Sequence, residues 1–147
     1  MGVHTRIARC LWLLLGLAWS AAVYAHPYPR QKVVYDLGSG NPARWQTALI
    51  NVRNHIRIVG ARRIRLRLVI HGAGVRMLRA ARSEAGLRHQ LAALRAEGVA
   101  IRVSRSALRR HGMPIRDLPG ILTRDLIPSG AAEIVRLEQR GYIYINP

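Results

Sequence analysis

The sequence contains a single cysteine, Cys10, and the position of this residue limits the sulfur chemistry that the chain can support. Residues 1–25 begin with basic side chains, continue through an apolar stretch and end in small residues, which is the layout of a secretory signal. The apolar stretch is shorter than the roughly 20 residues that cross a bilayer, so we expect cleavage after Ala25, or alternatively after Ala22, rather than an uncleaved anchor. The expected mature chain is periplasmic and has no cysteine, which excludes disulfides and thiol chemistry of its own.

Acidic residues are scarce: seven Asp and Glu face 24 Lys and Arg, for a net charge of +17. Nucleic acid is a common partner of such a chain. Three features argue against it: the expected export, the 5% content of aromatic residues with no phenylalanine, and arginines that are scattered instead of clustered. We interpret the charge as a solvated surface of biased composition, and keep as an alternative an affinity for anionic components of the cell envelope.

Long hydrophobic runs are absent after residue 25, so no later segment is expected to span a membrane. Half of all residues are hydrophobic, and the remaining length is that of one globular domain, which we place at residues 32–147 after a proline-containing lead-in at 26–31.

Strand and helix patterns alternate along this domain. Apolar, β-branched runs predict five strands, and the second begins at residue 64 and ends at His71 and Gly72. The other four lie at residues 32–38, 99–104, 125–128 and 142–146. Helices are predicted between Asn41 and Gly60, at 75–82, at 84–97 after the cap Ser83, and at 106–110 and 131–140. This alternation requires crossover connections, which predicts an α/β fold with a mainly parallel sheet.

Polar residues and glycines follow several of the predicted strands. In open parallel sheets, ligands bind beyond the carboxyl ends of the strands, where loops and helix N-termini converge. This rule selects as candidate ligand-binding residues Asp36, His71, Gly72, Gly74, Ser104, Ser129 and Gly130. Ser129 and Gly130 also begin a predicted helix, whose free amide groups favour an anion.

Each candidate also has a structural interpretation. His71 can be a general acid or base, or a hydrogen-bonded histidine that holds a glycine turn. Ser104, the other catalytic candidate, can simply cap the following helix together with Ser106. No histidine spacing predicts a metal site, and no nucleotide-binding or nucleophile-elbow motif predicts a cofactor. Trp45, Tyr142 and Tyr144 can anchor an interface, although we expect each of them in the core.

Several blocks of the sequence resemble one known family. They are Asn-x-x-Asn-His on the first helix, His-Gly-x-Gly at the second strand end, and Pro-Ser-Gly followed by Arg-Leu-x-x-x-Gly-Tyr-x-Tyr-Ile. Together they resemble the exported, single-domain members of the DsrE/DsrF-like family. The resemblance implies a three-layer α/β/α domain with a five-stranded sheet, assembled into trimers or hexamers. It also implies that some relatives carry a persulfide on a cysteine just past the third strand, where this chain has Ser104.

A serine hydroxyl cannot form the stable persulfide that sulfur relay requires. The sequence therefore favours a non-enzymatic, homo-oligomeric binding or accessory protein for a small anionic or sulfur-containing ligand. The competing hypothesis is an enzyme or enzyme subunit of sulfur or redox metabolism that uses a partner's thiol, with His71 as acid or base. A third is a scaffold that acts only through assembly.

Overall fold

A computed structural model describes residues 27–147, so the predicted signal at residues 1–25 lies outside the described part. Its centre is a parallel sheet of five strands in the order β4-β3-β2-β1-β5. The strands are β1 (Gln31–Leu37), β2 (Ile64–Ile70), β3 (Ala100–Ser104), β4 (Leu126–Ile127) and β5 (Ile143–Ile145). The predicted α/β class and parallel five-stranded sheet are confirmed.

Helices connect successive strands. They are α1 (Pro42–Val59), α2 (Arg76–Ala80), α3 (Ala85–Ala96), α4 (Arg105–Arg110) and α5 (Gly130–Glu138), with short 3₁₀ helices at Gly72–Val75, Ile115–Asp117 and Thr123–Asp125. No helix within residues 27–147 is long and apolar enough to cross a membrane.

Helix α1 begins and ends where its sequence signals predicted. The Asn41 side chain accepts a hydrogen bond from the Ala43 amide at 2.9 Å, and Pro42 occupies the first helical position. At the other end, Gly60 adopts a φ of 89°, a left-handed conformation that favours glycine, and its amide closes the last turn on the Ile56 carbonyl.

Helix α3 corrects the predicted cap. Its N-cap is Glu84, not Ser83, and no side chain caps it. The Ser83 hydroxyl instead donates to the Ala80 carbonyl at 3.3 Å, so this serine completes the turn after α2. The helix predicted from residue 75 is also shorter, because the glycine-containing segment Gly72–Val75 first forms a 3₁₀ turn.

The two faces of the sheet are covered unequally. On one face, Val33, Tyr35 and Leu37 of β1 join side chains of α1 to α4 in a large buried cluster. On the other face, Val34 and its neighbours pack only against α5 and the segment after it. Arg65, on the second face, is exposed. The layers are therefore helix, sheet and a single helix.

Candidate functional site

Candidate residues from four strand ends meet at the carboxyl edge of the sheet. Asp36 is near the end of β1, His71 follows β2, Ser104 ends β3, and Ser129 precedes α5 just after β4. Because all five strands are parallel, these ends share one edge of the sheet. Their contacts form two groups. Asp36 binds His71, against which the helix turn after Ser129 packs, and Ser104 binds Ser106 separately.

Asp36 is the centre of a three-residue hydrogen-bond network. Its Oδ1 lies 2.5 Å from His71 Nε2, and its Oδ2 accepts a hydrogen bond of 2.7 Å from the Tyr144 hydroxyl. The side chains of His71 and Asp36 are 25% and 14% exposed, so the pair is partly shielded but reachable from solvent. The network joins the three adjacent strands β2, β1 and β5.

The network keeps Asp36 ionised and Tyr144 protonated. Burial raises the pKa of Asp36, but the hydrogen bonds with His71 and Tyr144 and the charge of the imidazole outweigh it, so the pKa lies below its ordinary value. The hydrogen bond to Asp36 raises the pKa of Tyr144, and burial adds to this. At neutral pH the phenol is thus a donor, and the carboxylate can hold the imidazole in one orientation.

The glycine turn after β2 fixes the backbone below this network. The amide of Gly74 donates to the carbonyls of Gly38 at 3.1 Å and His71 at 2.9 Å. A side chain at Gly74 would overlap with the Leu37 carbonyl, and Gly72 has a φ of 51°. Close approach of the two backbones therefore accounts for both glycines, whatever they contribute to a ligand.

The first turn of α5 packs directly on the imidazole. A Cβ atom at Gly130 would overlap with Cβ and Cγ of His71. The Ser129 side chain makes no capping hydrogen bond to this turn. Glu133, 7% exposed, lies in the same turn and binds Arg136 through two hydrogen bonds of 2.6 and 2.8 Å. The turn thus offers uncapped amides beside a carboxylate that is already paired.

Ser104 has a structural role at the end of β3. It is 1% exposed, and its hydroxyl accepts a hydrogen bond of 3.3 Å from the Ala107 amide as the N-cap of α4. The same hydroxyl lies 2.9 Å from the Ser106 hydroxyl, and the Ser106 amide donates to the Pro128 carbonyl at 3.3 Å. Of the two interpretations of Ser104, the capping role is therefore seen directly.

Tyr144 is the member of the network that the sequence analysis missed. We predicted a core role for Trp45, Tyr142 and Tyr144. Trp45 is 6% exposed and Tyr142 is packed against the smaller core cluster, but Tyr144 is 40% exposed. The alternation in "YIYIN" puts Tyr142 and Tyr144 on the same side of the chain, but it could not show that Asp36 on the neighbouring strand is the partner of Tyr144.

No group of three or more histidine, cysteine, aspartate or glutamate side chains within residues 27–147 is arranged to hold a metal ion. Asp36 and His71 therefore form a pair of oxygen and nitrogen donors without a third ligand of these types among the described residues. The site is best described as a hydrogen-bonded aspartate–histidine pair beside a helix N-terminus.

Comparisons with known proteins agree with this architecture. The profile of the DsrE/DsrF-like family matches residues 32–147. A solved structure of MTH1491, a protein of unknown function from Methanobacterium thermoautotrophicum, is 28% identical with a TM-score of 0.69, and the match covers 80% of this chain and 99% of that one. The comparison with curated proteins gave no match. The fold and the family profile together show that this chain belongs to the DsrE/DsrF-like family.

Proposed function

We propose that this chain is an exported, homo-oligomeric protein that binds a small anionic or sulfur-containing ligand, or serves as an accessory to a sulfur-handling partner, and is not a sulfur carrier itself. The observation that carries the proposal is the state of Ser104. Its hydroxyl is buried and engaged in capping α4, at the position where the resemblance implies a persulfide-bearing cysteine in some relatives.

The chemistry of this position supports a non-carrier. A thiol is partly ionised near neutral pH and attacks sulfur readily, whereas a serine hydroxyl has a far higher pKa and forms no transferable persulfide. Residues 27–147 contain no cysteine, and Cys10 lies within the predicted signal. A sulfur atom handled at this site would have to arrive on a ligand or on a partner's thiol.

The carboxyl edge offers a place for such a ligand. The Ser129 side chain leaves the first-turn amides of α5 uncapped, and amides in this position attract anions. The carboxylate of Asp36 repels an anion placed beside it. We therefore place the anionic group of the ligand at the first turn of α5, with its remaining polar atoms near His71.

Two substitutions at one position test this ligand site. Ser129→Asp puts a carboxylate at the N-cap, where it covers the first-turn amides, whereas Ser129→Ala removes a hydroxyl that makes no capping hydrogen bond; both should leave α5 folded. Calorimetry at low salt should detect binding of thiosulfate or sulfate by the wild type and by Ser129→Ala, and none by Ser129→Asp. If the wild type binds neither anion, or if Ser129→Asp binds as well as Ser129→Ala, the ligand proposal is wrong.

Ser104→Cys tests the statement that the chain is not a carrier. Because residue 104 is 1% exposed, the new thiol should take up little sulfur from a persulfide donor in the folded protein. Ser106→Cys is the control, since Ser106 lies two residues further and is only partly buried. Intact-mass measurement of both variants decides: ready loading of Ser104→Cys alone would show a site still built for sulfur relay.

The Asp36–His71 contact favours a second function. A carboxylate bound to one imidazole nitrogen orients the ring and leaves Nδ1 for proton transfer, as in catalytic pairs. In this function the chain is a subunit that acts on a partner's thiol or persulfide. Turnover of a persulfide or thiosulfate substrate with a thiol partner should then disappear in His71→Ala and persist in His89→Ala, which changes an exposed histidine of α3. Absence of turnover in the wild type would favour the binding function.

Export and assembly have their own test. Native mass spectrometry of protein recovered from the periplasm should show a chain that begins at residue 26 and a trimer or hexamer. A monomer would remove the assembly part of the proposal, and a chain that keeps residues 1–25 would remove the export part.

A further inference from the structure

A cavity lies at the edge of the sheet opposite the candidate site, where β1 and β2 begin. Its volume of about 330 Å³ is at the lower end of the range of roughly 300–1,000 Å³ found for small-molecule sites. It is lined by Arg30, Gln31, Lys32, Arg62, Arg63 and Arg65. We call this cavity the basic pocket.

The basic pocket contains five cationic side chains and no carboxylate. The protein has only seven Asp and Glu residues, and those in salt bridges pair with cations elsewhere: Asp36, Asp117, Asp125 and Glu133. Within residues 27–147, none of the five pocket cations forms a salt bridge. Their charge is therefore uncompensated by the described part of the protein.

Most of the donors in the pocket are available. The guanidinium groups of Arg30, Arg62 and Arg65 make no hydrogen bond to any other side chain or carbonyl among the described residues, whereas Lys32 Nζ donates to the Arg140 carbonyl at 3.1 Å. Three forked donor groups thus surround one small hollow. Guanidinium forks match the oxygen atoms of phosphate and sulfate, with which they form paired hydrogen bonds.

Arg63 strengthens the positive potential of the pocket. Its Nη2 donates to the Tyr28 carbonyl at 3.1 Å, while its Nε is buried without a hydrogen-bond partner in the described structure. A partly desolvated cation is screened less by water, so its field in the pocket is stronger than that of an exposed arginine. Unpaired buried donors are uncommon in folded proteins, which makes this one informative.

The sheet register holds the charges close together. Lys32 and Arg65 are direct neighbours on β1 and β2, whose backbones are about 4.8 Å apart. Like charges at this separation repel each other, and an anion between them lowers that repulsion. An ion with several charged groups neutralises more of the five cations than a monovalent one.

We propose that the basic pocket binds a small oxyanion with two or more phosphate-type groups, at a site separate from the carboxyl-edge site. Five cationic donors require several phosphate-type groups close together. Two sources supply such groups: a free polyphosphate, or the lipid phosphates of an anionic membrane surface. The size of the pocket fits a group of the size of pyrophosphate.

Paired substitutions test the site against the overall charge. Arg62→Gln with Arg65→Gln removes two pocket cations that have no hydrogen-bond or salt-bridge partner among the described residues, so the fold should persist. Arg109→Gln with Arg110→Gln removes the same charge from exposed positions of α4, which follows the carboxyl end of β3 at the other edge of the sheet. Calorimetry with inorganic pyrophosphate should show saturable binding that is weakened roughly tenfold or more by the pocket pair, since charge-assisted hydrogen bonds to the anion are lost. The α4 pair should change the affinity by less than about twofold, because exposed charges at the other edge of the sheet are screened.

Vesicles distinguish the two sources. If pyrophosphate binds with the expected variant pattern, the ligand is a free oxyanion. If pyrophosphate does not bind, but phosphatidylglycerol vesicles bind the wild type and the control variant and do not bind the pocket variant, the source is a membrane surface. Equal loss in both pairs with either probe, or no binding to either, overturns the proposal. Ser129→Asp should leave pyrophosphate binding unchanged, so failure at one site is distinguishable from failure at the other.

Discussion

Gly130 fits against His71 so closely that the size of its side chain decides how α5 docks on the site. Gly130→Ala places a Cβ where His71 already is, so either the imidazole or the helix must shift. We expect a loss of about 1–3 kcal/mol in the free energy of unfolding, as for other overpacked positions, and a weaker Asp36–His71 contact. Urea denaturation measures the first effect, and the NMR chemical shifts of the His71 imidazole report the second.

Gly86→Ala is the matched control for this prediction. Gly86 lies in α3, and a Cβ there meets nothing within 4 Å. The same substitution should therefore stabilise the protein by roughly 0.4–1 kcal/mol through the lower entropy of the unfolded chain. Equal effects of the two substitutions would show that Gly130 is not limited by contact with His71.

His55 gives the stability of the protein a dependence on pH at a position outside the candidate site. Its Nε2 lies 2.7 Å from Gln31 Oε1 and its Nδ1 lies 3.1 Å from the Tyr35 hydroxyl, an arrangement that a neutral imidazole satisfies with one donor and one acceptor. Burial lowers the pKa of His55. The unfolded chain therefore binds the proton more readily than the folded one.

This pKa shift predicts a loss of stability in mild acid. The contribution of His55 is fully present above about 6.5, the ordinary pKa of histidine in an unfolded chain, and declines as the pH falls towards the lower pKa of the folded state. Thermal unfolding between pH 7 and pH 5 should show a falling Tm in the wild type. His55→Gln isolates the effect: its Tm should fall less. An identical fall in the variant would contradict the prediction.

A buried ion pair ties α3 to the segment that leads into β4. Arg95 donates to Asp125 with distances of 2.8 and 3.2 Å, and a further hydrogen bond of 3.0 Å reaches the Gly120 carbonyl. Asp125 also accepts from the Leu122 amide at 2.8 Å. Burial raises the pKa of Asp125, but these hydrogen bonds and the arginine charge hold it below its ordinary value.

Removing the arginine alone should be costly. Arg95→Met leaves a carboxylate that is 4% exposed without its counter-charge, and we expect a loss of roughly 2–4 kcal/mol, below the value for a fully buried pair because Arg95 itself is partly exposed. Urea denaturation measures this. The double variant with Asp125→Asn should recover part of the loss, since no unpaired charge remains. No recovery would show that Arg95 acts through packing alone.

The elements that the sequence predicted well are those with strong local signals. Asn41, Pro42 and Gly60 define α1 by their own conformational preferences, and β1 to β3 are continuous apolar runs. The predicted cap of α3 was wrong because the Ser83 hydroxyl binds the Ala80 carbonyl at the end of α2, and Glu84 takes the N-cap position instead. The start of one helix depends here on the end of the helix before it, which the local sequence of α3 does not show.

The candidate site was predicted in part for the same reason. The rule for parallel sheets placed Asp36 and His71 at one edge, because it needs only strand ends. Tyr144 required the strand order, since its partner Asp36 is 108 positions away and reaches it only because β5 lies beside β1. Likewise, the basic pocket depends on β1 and β2 being neighbours, because this pairing brings five cations from two separate segments of the sequence to one cavity.

At the scale of the whole molecule, the excess of positive charge predicts a stabilising effect of salt. Seven acidic residues cannot pair with 24 basic ones, so repulsion between surface arginines opposes folding at low ionic strength. Raising sodium chloride from about 10 to 150 mM shortens the Debye length from roughly 30 to 8 Å. The Tm should rise over this range by differential scanning fluorimetry; a fall would mean that ion pairs contribute more than the repulsion.

Strand β5 has three residues and pairs only with β1 in the described structure, so it belongs to the part of a sheet that opens most easily. Its ladder carries Tyr144, and hence one of the two side chains that hold the Asp36 carboxylate. Each brief detachment of this edge withdraws the phenol and lets the carboxylate rise in basicity. The acidity of the site is thus tied to how often the last strand frays, and amide exchange at its residues is a direct measure of that frequency.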